Sequence, residues 1–181
     1  IQLPVTMATV KTFVVKVNNQ TFAIPTSSIK TALLVKPEEI FYKEGKETII
    51  VDNKTIPICK LSKILEMPDK NVVEGKVVVI VIQAEDVQVG FIIDKLVGDQ
   101  EILHKNLAPP LVRVRNVAGV TTLGSGELCL ILNVNDLVKS AYLSFGVTKQ
   151  QLIINKEGNT SVTNKKILVV GAGYMAELVL R

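Results

Sequence analysis

The sequence predicts an all-β protein made of small barrels with a few short helices. Val, Ile and Thr supply most of the apolar positions, which is typical of strands. Turn-forming stretches such as VNNQ, KEGKE, VDNK, VEGK, AEDV and GSGE recur about every ten residues, as in hairpin-rich sandwiches and barrels. A third observation is an internal repeat of about 70 residues, which is too long for a solenoid unit and suits two small barrels.

The candidate strands are short and are bounded by these turns. They cover Thr9–Val17, Gln20–Ile24, Thr31–Val35, Glu47–Val51, Thr55–Lys60, Lys76–Ala84, Val87–Ile93, Gln100–Leu103, Val117–Leu123 and Glu127–Asn133. Helical patterns are confined to LSKILEM after Lys60 and VNDLVKSAYL after Asn133. The 181 residues, 48% of them hydrophobic, suffice for one domain or two small ones with a real core.

The repeat pairs two segments of the first half with two of the second. Gln20–Leu34 aligns with Val87–Leu103, because each has a turn, an apolar strand, a polar corner and a further strand. Val51–Leu65 aligns with Gly124–Val138, since each has a hairpin turn, a buried strand and a short helical segment. We therefore expect the first and second barrels to be pseudo-repeats.

The Gly124-Ser125-Gly126 stretch invites two interpretations, a phosphate-binding loop or a hairpin. A phosphate loop joins a strand to a helix N-terminus, whereas strand-like sequence flanks these glycines on both sides. The first repeat has Asp52-Asn53-Lys54 at this place, and Gly, Asp and Asn are residues that tight turns favour. The sequence predicts a hairpin.

Composition narrows the class of protein. The net charge of +4 arises from 21 basic and 17 acidic residues without a block of like charge, and aromatic residues make up only 4%, which argues against nucleic-acid binding. No apolar run approaches the roughly 20 residues that span a bilayer, so we expect a cytoplasmic protein without membrane insertion. Cys59 and Cys129 lie in apolar runs without nearby ligand residues, which predicts buried free thiols and neither a metal site nor a disulfide.

Residues with catalytic potential have ordinary structural interpretations. His104 is the only histidine, and no nucleophile motif accompanies it, which favours a solvated or capping role. Asp94, Asp99 and Glu101 cluster, but general acid-base work needs a pocket that the sequence does not reveal. We expect no catalytic site and no cofactor.

Arg113 and Arg115 lie two positions apart in LVRVRNV. In an extended segment they would share one face. They would form either a contact patch for an acidic partner or a solvated basic face.

The C-terminal segment contains a G-x-G-x-x-A pattern, Gly171–Ala176, after the apolar strand Ile167–Val170. The five residues that follow supply neither a second strand nor the acidic residue that would hold a ribose, so a nucleotide site is not expected. The preceding polar stretch is typical of a linker. We expect a regulatory domain over residues 1–144, a linker over 145–164 and the truncated start of another domain over 165–181.

Several motifs in order carry a family resemblance. VGFIIDKLVGDQEILHKNL with VAGVTTLGSGELCLILNVNDLV, and FAIPTSSI with TIPICKLSKIL, resemble the two halves of a CheW-like domain. The opening IQLPVTMATVKTFVVKV is similar to the junction that precedes this domain in CheA-type chemotaxis histidine kinases. KKILVV resembles the first strand of a receiver domain, as in hybrid kinases, although Gly171 and Ala172 replace its acidic pair. Ala108-Pro109-Pro110 also departs from the family's glycine-bearing loop.

The resemblance implies two five-stranded SH3-like barrels packed around a shared apolar interface. It implies a non-catalytic regulatory and coupling domain of a histidine kinase, which binds a CheW adaptor, chemoreceptor tips and the kinase domains of its own chain within membrane-associated receptor arrays. The alternatives are a stand-alone CheW-type adaptor and, more remotely, a nucleic-acid-binding barrel or a dinucleotide-binding enzyme.

Two sets of residues are candidates for partner contacts within that framework. For docking of one barrel on another we expect Ile24, Pro25 and Ile29 of the first unit and Ile92, Ile93 and Val97 of the second. For a receptor groove we expect Ile56, Ile58, Leu128 and Leu130. Since alternate strand residues point inward, at least half of the first set should belong to the core.

Overall fold

The computed structural model describes residues 8–68, 75–106 and 114–146. The strands are β1 (Ala8–Val17), β2 (Gln20–Pro25), β3 (Ile29–Val35), β4 (Phe41–Lys43), β5 (Lys46–Val51), β6 (Lys54–Lys60), β7 (Val77–Ala84), β8 (Val87–Ile93), β9 (Lys95–Asn106), β10 (Val117–Thr122) and β11 (Leu128–Leu132). The α-helices are α1 (Leu61–Ile64) and α2 (Val134–Ser144), and short 3₁₀ turns cover Thr26–Ser28 and Pro37–Glu39. The all-β prediction is confirmed.

The strands form two sheets. One is a closed five-stranded barrel in the order β1-β2-β11-β10-β9, and the other is a six-stranded sheet in the order β3-β7-β8-β6-β5-β4. The barrel matches the expected strand number, whereas the second sheet has one strand more than expected. The additional strand is β4, whose sequence FYK is too short to show an alternating pattern.

Within residues 8–68, 75–106 and 114–146 the chain crosses between the sheets twice, once from β2 to β3 and once from β8 to β9. Each sheet therefore contains strands from both halves of the sequence. The expectation that each repeat forms its own barrel differs from this topology, because the polar corner inside each repeat is the crossover itself. Thr26 stabilises the first corner by donating its hydroxyl to the Lys11 carbonyl oxygen at 2.8 Å.

The repeat is nevertheless visible in the pairing. β11 pairs in parallel with β2, with Ile131 opposite Ala23, and β6 pairs in parallel with β8, with Cys59 opposite Phe91. A short α-helix follows each of these strands, α2 after β11 and α1 after β6. The aligned segments thus occupy equivalent places in the two sheets.

Left-handed residues close the hairpins. Asp52 and Asn53 have φ of 50° and 60°, which suits a two-residue turn between β5 and β6. In the aligned turn Gly126 has φ of 84° and donates its N–H to the Leu123 carbonyl oxygen at 2.8 Å. β10 and β11 pair on either side of that turn, which confirms the predicted hairpin.

Among the described residues the hydrophobic core has three parts. Barrel-core residues fill the barrel, namely Val14, Ala23, Ile102, Leu123, Cys129 and Ile131. Sheet-core residues cover the inner face of the second sheet, among them Val35, Ile49, Val77, Val79 and Val81. Interface-core residues lie between the sheets and under α2, among them Val15, Phe22, Ile24, Ile80, Phe91, Leu137 and Ala141.

Strand β7 lies between the sheet core and the interface core and contributes residues to both. Its alternate residues Val79 and Ile80 are both fully buried, one in the sheet core and the other in the interface core. A strand covered on both faces has a nearly continuous apolar sequence, as VVVIVI shows. The shared apolar interface that the resemblance implied is therefore present.

Gly90 lets β8 lie between β6 and β7. A Cβ atom at this position would lie 2.7 Å from Ile58 Cγ2 and 2.9 Å from Val79 Cγ1. Because both neighbours are fixed in the sheet core, a larger residue would displace them.

Across the described ranges, no helix combines the length and apolarity required to cross a membrane.

Candidate partner-binding surface

The structure places several candidate contact residues in the core. Ile24 and Ile93 belong to the interface core, and Ile29 packs against it. Ile56 and Ile58 belong to the sheet core. Because Ile24, Ile93, Ile56 and Ile58 are each at most 3% exposed, their side chains are not available to a partner, and their predicted role as contacts is replaced by a structural one.

The remaining residues of the first set differ in accessibility. Pro25 is half-buried at the end of β2, and half-buried Ile92 packs against the sheet core. Val97 is 46% exposed. In the β1–β9 ladder Val14 lies opposite Gly98 and Val15 opposite Leu96, so Val97 is the extra residue of a β-bulge. Of this set, Val97 offers the most accessible apolar side chain.

Leu128 and Leu130 form an exposed apolar strip on β11. Leu128 is 72% exposed and Leu130 is 38% exposed, whereas Cys129 between them points into the barrel. Leu132, two residues further along the same face, is buried in the interface core. The strip is thus the uncovered end of the outer face of β11.

A groove of about 300 Å³ adjoins this strip. Its walls come from β2, the end of α1, the segment Val114–Val117 and β11. The apolar lining residues are Phe22, Ile64, Leu65, Met67, Val114, Val117 and Leu130, and Gln20, Glu66, Arg115 and Asn116 supply the polar lining. The strip and groove together are suited to an apolar ridge, such as one face of an amphipathic helix.

An ion pair lies at the groove. The Arg115 Nη1 atom is 3.1 Å from Glu66 Oε1, and both side chains are more than half exposed. Arg115 Nε also donates to the Ser140 hydroxyl oxygen on α2 at 3.3 Å. Arg115 is therefore held at the groove by two side-chain contacts, one to Glu66 and one to Ser140. Arg113 lies outside the described residues.

Asn116 holds the groove wall in place, and the sequence did not reveal this role. Its Nδ2 donates to the Ile64 carbonyl oxygen at 3.1 Å, and its Oδ1 accepts from the Ser140 hydroxyl at 2.8 Å. Its carbonyl oxygen accepts from the N–H of Asn133, the N-cap of α2. Its φ is 63°, a left-handed value that Asn tolerates better than most residues. The residue type Asn is therefore the one local signal for a turn here.

The other polar candidates have structural roles where the structure describes them. Asp94 Oδ2 accepts from the Asn18 N–H at 2.7 Å, which ties the second crossover to the β1–β2 turn. Glu101 faces Lys11 at 3.8 Å, and Asp99 is exposed on β9. The side chain of His104 and the whole Gly171–Ala176 pattern lie outside the described residues.

Both cysteines are buried free thiols, as predicted. Burial raises the pKa of Cys59 to about 12 and the pKa of Cys129 to about 11. Such thiols remain protonated near neutral pH and are poor nucleophiles.

Comparison with protein families assigns the fold. The model of the CheW-like domain matches residues 11–142, which include most of β1, all of the other strands and most of α2. This chain belongs to the CheW-like domain family. The match covers the strip, the described groove residues and the Arg115–Glu66 pair.

Two relatives of this chain are, by name, a chemotaxis protein and a sensor histidine kinase. The chain is 30% identical over 138 residues to the chemotaxis protein CheA of Bacillus subtilis, covering 76% of this chain and 20% of the relative. It is 28% identical over 167 residues to the sensor histidine kinase CheAY of Helicobacter pylori, covering 91% of this chain and 20% of the relative. The chain thus spans about a fifth of the length of these relatives.

A solved structure supports the CheW-like fold. The scaffolding protein TtCheW from Thermoanaerobacter tengcongensis superposes with a TM-score of 0.56 at 16% identity, covering 72% of this chain and 92% of that one. The arrangement of two small SH3-like sheets with few helices is therefore shared.

Proposed function

We propose that this CheW-like domain is the regulatory and coupling domain of a chemotaxis histidine kinase. It binds a CheW-type adaptor and the cytoplasmic tips of chemoreceptors, and it conveys their state to the kinase domains of its own chain. The domain performs no catalysis itself, and it works in the cytoplasm within membrane-associated receptor arrays. Its relatives named CheA and CheAY support the kinase parent.

The observation that carries this proposal is the exposed strip Leu128–Leu130 beside the groove. Exposed apolar patches with a polar rim are typical of protein interaction sites. A receptor tip is helical in this proposal, and a helix places apolar residues at i, i+3 and i+4 along one ridge, which fits such a strip. Val97, on the β-bulge of β9, is the proposed contact for the adaptor.

The domain boundaries belong to the same proposal. Residues 1–144 form the regulatory domain, residues 145–164 a linker and residues 165–181 the start of a receiver-like domain. The match to the CheAY kinase covers 91% of the chain, against 76% for the Bacillus CheA, so it extends beyond the CheW-like residues 11–142. A second candidate function is a stand-alone adaptor, which the likeness to the scaffolding protein TtCheW favours.

Calorimetric titration with the cognate adaptor and with a receptor-tip fragment tests the proposal. Leu128→Asp should weaken receptor binding 10- to 100-fold, because a buried leucine contributes about 1.5–3 kcal/mol. Val97→Asp should weaken adaptor binding, each variant leaving the other partner's affinity unchanged.

The matched control is Leu34→Asp, on the edge strand β3. Leu34 is 66% exposed, close to the 72% of Leu128, but it lies in the other sheet. It should change neither affinity, and unaltered thermal unfolding would show that all variants fold. Absence of binding by the unmodified protein, or equal losses in all three variants, would contradict the proposal. The buried Ile24 is unsuitable for such a test, because an aspartate there would disrupt the interface core.

A further inference from the structure

Two charged side chains lie among the described residues that line the groove, Glu66 and Arg115. They pair with each other at 3.1 Å, with side-chain exposures of 75% and 59%. A pair this exposed is weak, because water and salt screen it and because two long side chains must be ordered to form it. Arg115 can therefore exchange Glu66 for another partner at a small cost in free energy.

The two members of the pair are held differently. The guanidinium of Arg115 is also bonded through Nε to the Ser140 hydroxyl, and Ser140 in turn donates to the buried Asn116. The cation thus keeps its place at the groove when Glu66 departs. The Glu66 carboxylate has one partner among the described contacts, which is Arg115.

The backbone fixes where Glu66 stands. Glu66 follows α1 with φ of 55°, a left-handed conformation in which glycine is favoured and other residues are strained. Its N–H is bonded to the Lys63 carbonyl oxygen at 3.2 Å, which keeps this turn closed. A glutamate in this conformation places a carboxylate beside Arg115 at the groove, where glycine would place none.

We propose that Glu66 is an internal competitor for Arg115, and that the groove binds an acidic amphipathic helix. A carboxylate on the incoming helix, next to the apolar residues that enter the groove, replaces Glu66 on the guanidinium. The Coulomb attraction between Arg115 and the incoming carboxylate is stronger than that between Arg115 and Glu66, because the helix excludes water from the new pair. This inference rests on the proposed function, since it assigns the chemistry of the partner at the same groove.

Charge complementarity selects this occupant. With Glu66 turned away, Arg115 is the one charged residue in the described lining, and the rest is apolar or neutral. A basic helix would leave that cation facing like charge, which is unfavourable at close range. A neutral helix would gain nothing from displacing Glu66.

Titration of the whole chain with the receptor-tip fragment tests the inference, with Glu66→Gln and Arg115→Gln as the variants. Glu66→Gln frees the cation and should tighten binding about two- to fivefold, the range of an exposed ion pair. Arg115→Gln should weaken binding by a similar factor. In the double variant, Glu66→Gln should have no further effect, because the competitor has nothing left to occupy.

Glu101→Gln is the matched control, because Glu101 faces Lys11 in an exposed pair elsewhere, at 3.8 Å. It should leave the affinity unchanged. If Glu66→Gln fails to tighten binding while Leu128→Asp still weakens it 10- to 100-fold, the competitor is overturned and the proposed function stands. If the unmodified protein does not bind the fragment, both are overturned.

Discussion

At the scale of single residues, Cys59 and Cys129 show how burial changes the pKa of a thiol. They lie on the two equivalent strands of the repeat, Cys59 on β6 and Cys129 on β11, and each of these strands has one parallel neighbour. Desolvation raises the pKa of Cys59 to about 12 and that of Cys129 to about 11, because a thiolate is poorly solvated in an apolar surrounding. Burial of Tyr142 raises its pKa in the same direction.

These shifts predict a loss of stability in alkaline solution. The unfolded cysteines release their protons near pH 9.0, whereas the folded ones keep them to about pH 11 and 12. Since the folded state then binds more protons, the free energy of unfolding should fall from about pH 9 upward, by as much as about 1.4 kcal/mol per pH unit for each thiol. Urea unfolding between pH 7 and 10.5 measures this slope. Cys59→Ala with Cys129→Ala should flatten it, and an unchanged slope in that double variant would refute the assignment.

At the scale of elements, the segment Val114–Val117 joins parts that are distant in sequence. Asn116 connects the end of α1 to α2 through Ile64 and Ser140, which lie 52 and 24 residues away. Strands could be predicted because alternation is a local signal, and α2 because its apolar residues follow helical spacing. The role of Asn116 could not, since its partners are chosen by the packing of the whole chain. α1 is also shorter than LSKILEM suggested, because Glu66 turns the chain into the left-handed region.

Removal of the Asn116 side chain should destabilise this connection. Asn116→Ala loses two buried hydrogen bonds and places alanine at φ of 63°, for an expected loss of about 2–4 kcal/mol in the free energy of unfolding. Asn116→Gly loses the same bonds without the backbone strain and should cost about 1 kcal/mol less. Ser140→Ala should cost about 1–3 kcal/mol, because Asn116 Oδ1 then lacks its donor. In a double-mutant cycle from chemical denaturation, additive effects of Ser140→Ala and Asn116→Ala would contradict the bond between them.

At the scale of the whole molecule, the fold is two interleaved sheets rather than two consecutive barrels. The repeat could be predicted from Gln20–Leu34 and Val87–Leu103, because turn, strand and corner recur in order. The pairing of the strands could not, because each corner transfers the chain to the other sheet and nothing local marks that transfer. The same crossing explains why Ile24 and Ile93, predicted as contacts, are core residues. They lie beside the crossovers, in the interface core that both sheets share.

Interleaving predicts that neither half of the chain folds alone. Residues 1–74 contain β1 and β2 without β9–β11, and β3–β6 without β7 and β8, so both sheets are incomplete and the interface core loses Ile80 and Phe91. Each half should lack a cooperative thermal transition by circular dichroism, because too little apolar surface is buried to offset chain entropy. Mixing residues 1–74 with residues 75–181 should restore one shared transition, since the missing strands are then supplied by the partner fragment. Cooperative unfolding and dispersed amide resonances of residues 1–74 alone would instead show that each repeat is an independent barrel, and would refute the interleaved pairing of β2 with β11 and of β6 with β8 as the source of stability.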